Sequence, residues 1–152
     1  MVLAFHGTKS RAAVEAIVEN NFDRDRIGSA TDAGWYGKGF YFSEFADTSM
    51  SYGGGRNMLL CRLLPGKVYD TVNTETGMNG MPKRMDGKPI KDGHNSHRVA
   101  KNADGCANEL VIDNPKQILP CYILHVGMLR SLAYEGAAEV SRARAPCVYP
   151  CF

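Results

Sequence analysis

The chain has 152 residues, 44% hydrophobic and 22% charged, with a formal net charge of +2. That size suits one domain with a real core, able to bury about 68–70% of its unfolded surface. No apolar run reaches the ~20 residues of a membrane helix, the N-terminus carries no secretory pattern, and the near-neutral charge argues against a nucleic-acid footprint.

The stretch "VLAF" reads as a short apolar strand ending at His6-Gly7. After it, Ala13, Val14, Ile17 and Val18 recur at helical spacing, with Thr8 or Ser10 as the N-cap and a stop near Asn20-Asn21. "DRDRIGSATDAG" is polar and turn-rich, so it reads as a loop. "GFYFS" is a brief strand, "EFADTSMSY" a short helix, and the glycines after it break the chain. "NMLLCRLL" is an almost unbroken apolar run and reads as a buried strand, followed by "KVYD". Thr71 to Gly105 is polar and reads as one long loop, a length that points to function in a compact domain. "NELVID" and "QILPCYILHV" close the core as strands, with Pro120 pushing the last toward an edge or a bulge. "GMLRSLAYEG" adds a C-terminal helix, and "RARAPCVYPCF" a frayed tail. One helix followed mostly by strands predicts an α+β fold with packed antiparallel sheets.

Five cysteines give no regular framework. Cys61 and Cys121 sit in apolar runs and read as buried thiols; Cys147 and Cys151 could pair locally or bind a metal. An intracellular, reducing setting in cytoplasm or nucleus follows. His94 and His97 lie three apart in "DGHNSHR", outside any helical pattern, which argues against a metal site. The basic residues of "MPKRMDGKPIKDGHNSHR" are interrupted by acids and read as a solvated loop before a partner surface.

"GWYGKGFYFSE" carries three glycines, Gly34, Gly37 and Gly39. A phosphate loop needs G-x-x-x-x-G-K-[ST] opening a helix, and a dinucleotide fingerprint needs G-x-G-x-x-G between strand and helix. This stretch has neither spacing and runs into a strand. On its own it reads equally well as a plain turn.

Four segments, "FHGT", "YGKGFYFSE", "TSMSY" and "NELVI", occur in that order, with Ser49 eight residues after Tyr41 and Tyr52 three further on. Together they resemble the catalytic domain of the poly(ADP-ribose) polymerase family, the diphtheria-toxin-like ADP-ribosyltransferases of His-Tyr-Glu type. The likeness spans roughly residues 3 to 126. It implies the ADP-ribosyltransferase fold, two packed, mainly antiparallel sheets with few short helices, over residues 1–127, and leaves 128–152 as an extension of unknown role.

The resemblance also implies NAD as substrate and places His6, Tyr41 and Glu109 as catalytic residues. His6 would bond a ribose hydroxyl. The Gly7 backbone, beside Thr8 and helped by the Ser49 hydroxyl, would grip the nicotinamide carboxamide. Tyr41 and Tyr52 would sandwich the nicotinamide ring, and Glu109 would serve the ribose and the reaction. Those residue types suit the chemistry. A tyrosine face attracts the cationic nicotinamide, and a carboxylate gains most as positive charge develops at the ribose in a dry site. Each also has a structural reading: a strand-end histidine, core tyrosines, a helix-face serine, a glutamate turned to solvent. A carboxylate beside Leu110, Val111 and Ile112 is nonetheless costly without a partner or a function.

The implied reaction is transfer of ADP-ribose to an acceptor, with protein favoured, nucleic acid possible, and mono-transfer slightly favoured over poly. No metal, membrane or DNA-sensing module is implied. Arg24 and Arg26 both suit a pyrophosphate by chemistry. The alternatives are an NAD glycohydrolase on the same site, a non-catalytic module binding NAD or ADP-ribose, and, more distantly, RNA 2′-phosphate transfer on a related fold.

Overall fold

A computed structural model describes residues 1–28, 34–54, 57–71, 85, 87–99 and 109–125. Its strands are β1 (Val2–Gly7), β2 (Phe40–Phe42), β3 (Asn57–Leu63), β4 (Val68–Asp70), β5 (Ser96–Val99), β6 (Glu109–Ile112) and β7 (Ile118–His125). The helices are α1 (Arg11–Asn20) and α2 (Ala46–Tyr52). This is the expected α+β architecture.

Two sheets form, one in the order β1-β3-β7 and the other β2-β6-β5-β4. All pairings are antiparallel except β4 with β5, which is parallel. The sheets meet at a bridge between Phe5 and Ser43, whose backbones exchange hydrogen bonds of 2.7 and 2.9 Å. The main core lies between the sheets and α1, built from residues such as Val14, Phe42, Leu59, Cys61, Leu63, Leu110 and Ile112. Burial pushes the Cys61 thiol up to about 12, so it is an inert apolar filler.

Strand β7 is an edge of its sheet, and its register jumps where Cys61 faces Pro120 while Leu60 faces Tyr122. The extra residue, Cys121, is the bulge that a proline without an N–H favours. Cys121 is therefore only half-buried, against the expectation of a buried thiol. Helix α1 begins after Ser10, though the serine side chain makes no cap bond. It ends where Asn21 turns to φ 65°. The Asn21 amide donates to the Pro115 and Ile118 carbonyls at 3.2 and 3.1 Å, tying the helix end to the start of β7. Val18, placed by its period on the inner face, is 50% exposed: the helix buries only a narrow stripe around Val14.

Within the expected Thr71–Gly105 loop the structure has strand β5, so that reading is corrected. "SHRV" alternates too briefly to signal a strand; it forms because β6 and β4 flank it, and the Arg98–Asp70 ion pair at 2.9 Å joins it to β4. The rest of that loop, apart from Thr71, Met85 and Gly87–Val99, lies outside the described residues, as do the expected C-terminal helix, the 128–152 extension and the Cys147/Cys151 pair. No helix among the described residues is long and apolar enough to cross a membrane.

Candidate active site

Alternation along β2 and β6 splits their side chains between two faces. Phe40, Phe42, Leu110 and Ile112 enter the main core. Tyr41 pairs with Val111, and Val111 with His97, so these three form one row across the opposite face, with Glu109 two residues along β6 on that same face.

A cavity of about 810 Å³ lies beside these strands, lined by Tyr41 and Glu109 and also by Phe40 and Phe42, while Val111 packs with Tyr36 and Val99 in a second apolar cluster. His6, Gly7, Thr8, Tyr41, Ser49, Tyr52 and Glu109, gathered from four separate segments, all line the cavity. Each is held by specific contacts. The His6 Nδ1 lies 2.9 Å from the Tyr41 carbonyl, which can only accept, so Nδ1 carries the proton and Nε2 is the acceptor. Phe22 meets the ring edge-on at 4.9 Å, and Phe42 lies 5.4 Å away. Burial lowers the imidazole below its ordinary value, with the bond to Tyr41 opposing, so the ring is neutral near pH 7.

Gly7 abuts α2. A Cβ there would overlap the Ser49 carbonyl oxygen, so glycine is required by helix packing as well as by any backbone approach to a ligand. The Ser49 hydroxyl donates to the Phe5 carbonyl at 2.8 Å, which occupies its proton and leaves its oxygen as an acceptor. Helix α2 also carries Tyr52, whose phenol donates to Glu109 Oε1 at 2.7 Å. Glu109 is only 6% exposed, so the solvent-facing reading of this residue is excluded.

The Tyr41 phenol is clamped. It accepts from the Tyr36 N–H at 2.9 Å and donates to the Gly37 carbonyl at 2.7 Å. Gly37 makes this turn possible with φ 117°, a conformation that side chains resist. The glycines of "GWYGKGF" thus shape a loop around a tyrosine.

The structure adds residues that the motifs did not mark. Asn21, Phe22, Trp35 and Tyr36 line the cavity, and none carries a pattern readable in one sequence. Of the two candidate arginines, Arg26 borders the cavity with its side chain 76% exposed and 3.6 Å from Asp23, whereas Arg24 pairs with Asp113 at 2.6 Å. The His97 ring nitrogens both meet backbone groups, the Tyr36 carbonyl at 2.7 Å and the Lys91 N–H at 2.9 Å, and His94 packs on Tyr69 at 5.2 Å. Among the described residues no three His, Cys, Asp or Glu side chains gather as metal ligands.

Among the described residues, two short helices, two sheets and a cavity beside them match the ADP-ribosyltransferase fold. The family model for the poly(ADP-ribose) polymerase catalytic domain matches residues 1–128, and the chain belongs to that family. No curated protein matches the chain. The family's activity is ADP-ribosyl transfer, with NAD as substrate.

Proposed function

We propose that this protein is an NAD-dependent ADP-ribosyltransferase that breaks the nicotinamide–ribose bond and joins ADP-ribose to a protein acceptor, one unit at a time. The observation that carries this reading is a buried carboxylate, Glu109, held by Tyr52 at 2.7 Å on a cavity that His6 and Tyr41 also line.

In this reading Tyr41 and Tyr52 flank the cationic nicotinamide. Gly7 and the Ser49 oxygen receive its carboxamide, and His6 Nε2 accepts from a ribose hydroxyl. The carbon–nitrogen bond breaks with its electron pair leaving on nicotinamide, now neutral, and positive charge develops at the ribose. The Glu109 carboxylate, already oriented, stabilises that charge without reorganising. An acceptor heteroatom then bonds to the ribose carbon and gives up its proton, for which Glu109 is the nearest base in this scheme. Arg26 suits the pyrophosphate.

Labelled NAD, wild type and Glu109→Gln, with mass spectrometry of the products, test this. Glutamine keeps an oxygen for the Tyr52 phenol, so NAD affinity should hold while transfer falls by about 10²-fold or more. A single added unit per site is the expected product, and a ladder of masses would show elongation. Nicotinamide release without label on any macromolecule would make the protein a glycohydrolase. NAD bound but never cleaved would make it a binding module.

A further inference from the structure

We propose that His97, which lies outside the cavity, is the positioning residue for Tyr41. The inference rests on the reading of Tyr41 as a face of the nicotinamide site. Three consecutive peptide units are involved. The first supplies the Tyr36 N–H that donates to the Tyr41 phenol at 2.9 Å, and the third supplies the Gly37 carbonyl that accepts from it at 2.7 Å. The unit between them presents the Tyr36 carbonyl, and His97 Nδ1 holds it at 2.7 Å. Since a carbonyl only accepts, Nδ1 bears the proton, and Nε2 accepts from the Lys91 N–H at 2.9 Å.

The ring is therefore a fixed spacer between the Tyr36–Gly37 turn and the Lys91 segment. A second tie runs parallel to it, from the Lys38 N–H to the Lys88 carbonyl at 2.7 Å. His97 is completely buried and shares the row that runs through Val111 to Tyr41, so its backbone is placed by the same sheet that places the tyrosine. Gly37 approaches the imidazole so closely that a Cβ would stand 2.7 Å from Nδ1. A histidine needed only to fill space would not require one particular tautomer with a backbone partner on each nitrogen. A phenol can slide or turn unless its peptide clamp is rigid, and an error of about 1 Å at a reacting group costs on the order of 10²-fold.

The two nitrogens can be separated by substitution. The amide nitrogen of asparagine falls where Nδ1 stands, and the amide oxygen of glutamine falls where Nε2 stands. His97→Asn thus keeps the donor to Tyr36 and loses the acceptor for Lys91; His97→Gln does the reverse. Both should melt at lower temperature. Nicotinamide itself is the probe, titrated by calorimetry, alongside NAD turnover and amide hydrogen exchange at Tyr36.

His97→Asn should bind nicotinamide within about threefold of wild type, and His97→Gln about tenfold more weakly, with the KM for NAD rising more than kcat falls. The Tyr36 amide should stay protected in the first and exchange faster in the second. Equal losses in both variants, or no loss in either, would overturn the inference. If wild type neither binds nicotinamide nor consumes NAD, the functional reading fails, and the exchange of the Tyr36 amide still decides whether His97 holds the clamp. If the histidine variants do not fold, Tyr41→Phe cuts the other end of the same clamp with His97 in place. Unchanged nicotinamide affinity and unchanged Tyr36 protection there would refute it.

Discussion

Gly7→Ala tests how tightly the packing of α2 against β1 sets the site. The new Cβ would lie 2.8 Å from both the Ser49 carbonyl carbon and the Gly53 nitrogen, and would overlap the Ser49 carbonyl oxygen. Ordinary contact needs about 3.5–4.0 Å, and all three atoms are backbone, so no side chain can swing aside. Helix α2 must retreat by about 1 Å. The Ser49 hydroxyl bond to Phe5, now 2.8 Å, and the Tyr52 bond to Glu109, now 2.7 Å, would both pass beyond hydrogen-bonding range. Overpacking costs about 1–3 kcal/mol. Losing one neutral and one charged hydrogen bond adds about 2–4 kcal/mol. Against a typical stability of about 5–15 kcal/mol, the variant should fold but with much of its margin gone. Urea unfolding should show that loss, and nicotinamide release from NAD should fall about 10²-fold. A variant with wild-type stability and turnover within about twofold would refute the claim that β1 and α2 hold the site by direct backbone contact.

Stability should fall on mild acidification. Burial holds both His6 and His97 below the ordinary imidazole value of about 6.5. Below about that pH the unfolded chain takes up protons that the folded chain refuses, so stability is complete above it and declines as pH drops toward the folded values. Urea titrations at several pH values check this, and His97→Asn should flatten the slope; a slope that rises toward acid would refute it. Arg26→Ala should raise the KM for NAD about tenfold, because Arg26 lines the cavity. Arg24→Ala should leave the KM alone and cost under about 1 kcal/mol, because its pair with Asp113 is on the surface, with Arg24 67% exposed.

Much of this site was legible because its residues sit in short, ordered motifs. "FHGT", "TSMSY" and "NELVI" each deliver a residue to the cavity, and strand and helix periods put those residues on the right elements. Pro120 pointed to an edge or a bulge, since its missing N–H admits few positions, and β7 has both. Other features were hidden for physical reasons. Strand β5 is four residues long and exists through its neighbours, and its pairing with β4 is parallel, which no local pattern records. The bond between Tyr52 and Glu109 joins residues 57 apart in sequence. Arg24 and Arg26 look equivalent in "DRDR", and only the 3-10 turn at Arg24–Arg26 pairs one with Asp113 and leaves the other beside Asp23 at the cavity's border. His97 in "DGHNSHR" showed no metal pattern, but its two backbone partners, at Tyr36 and Lys91, leave no local trace in the sequence.

The two-faced character of β6 bears on what this domain can tolerate through descent. Sliding "ELVI" by one residue against β2 would exchange its faces, sending Leu110 toward the cavity and the Glu109 carboxylate into the apolar core. Stability and chemistry would be lost in a single step, so no stable but inactive intermediate lies on that route. Single-residue insertions or deletions within Phe40–Phe42 or Glu109–Ile112 should therefore be purged in any lineage that keeps the fold, even one that has abandoned the reaction. Side-chain replacements in the same strands escape that coupling. Loss of activity in this fold should accordingly proceed by substitution at Glu109 or Tyr41, with strand lengths left unchanged.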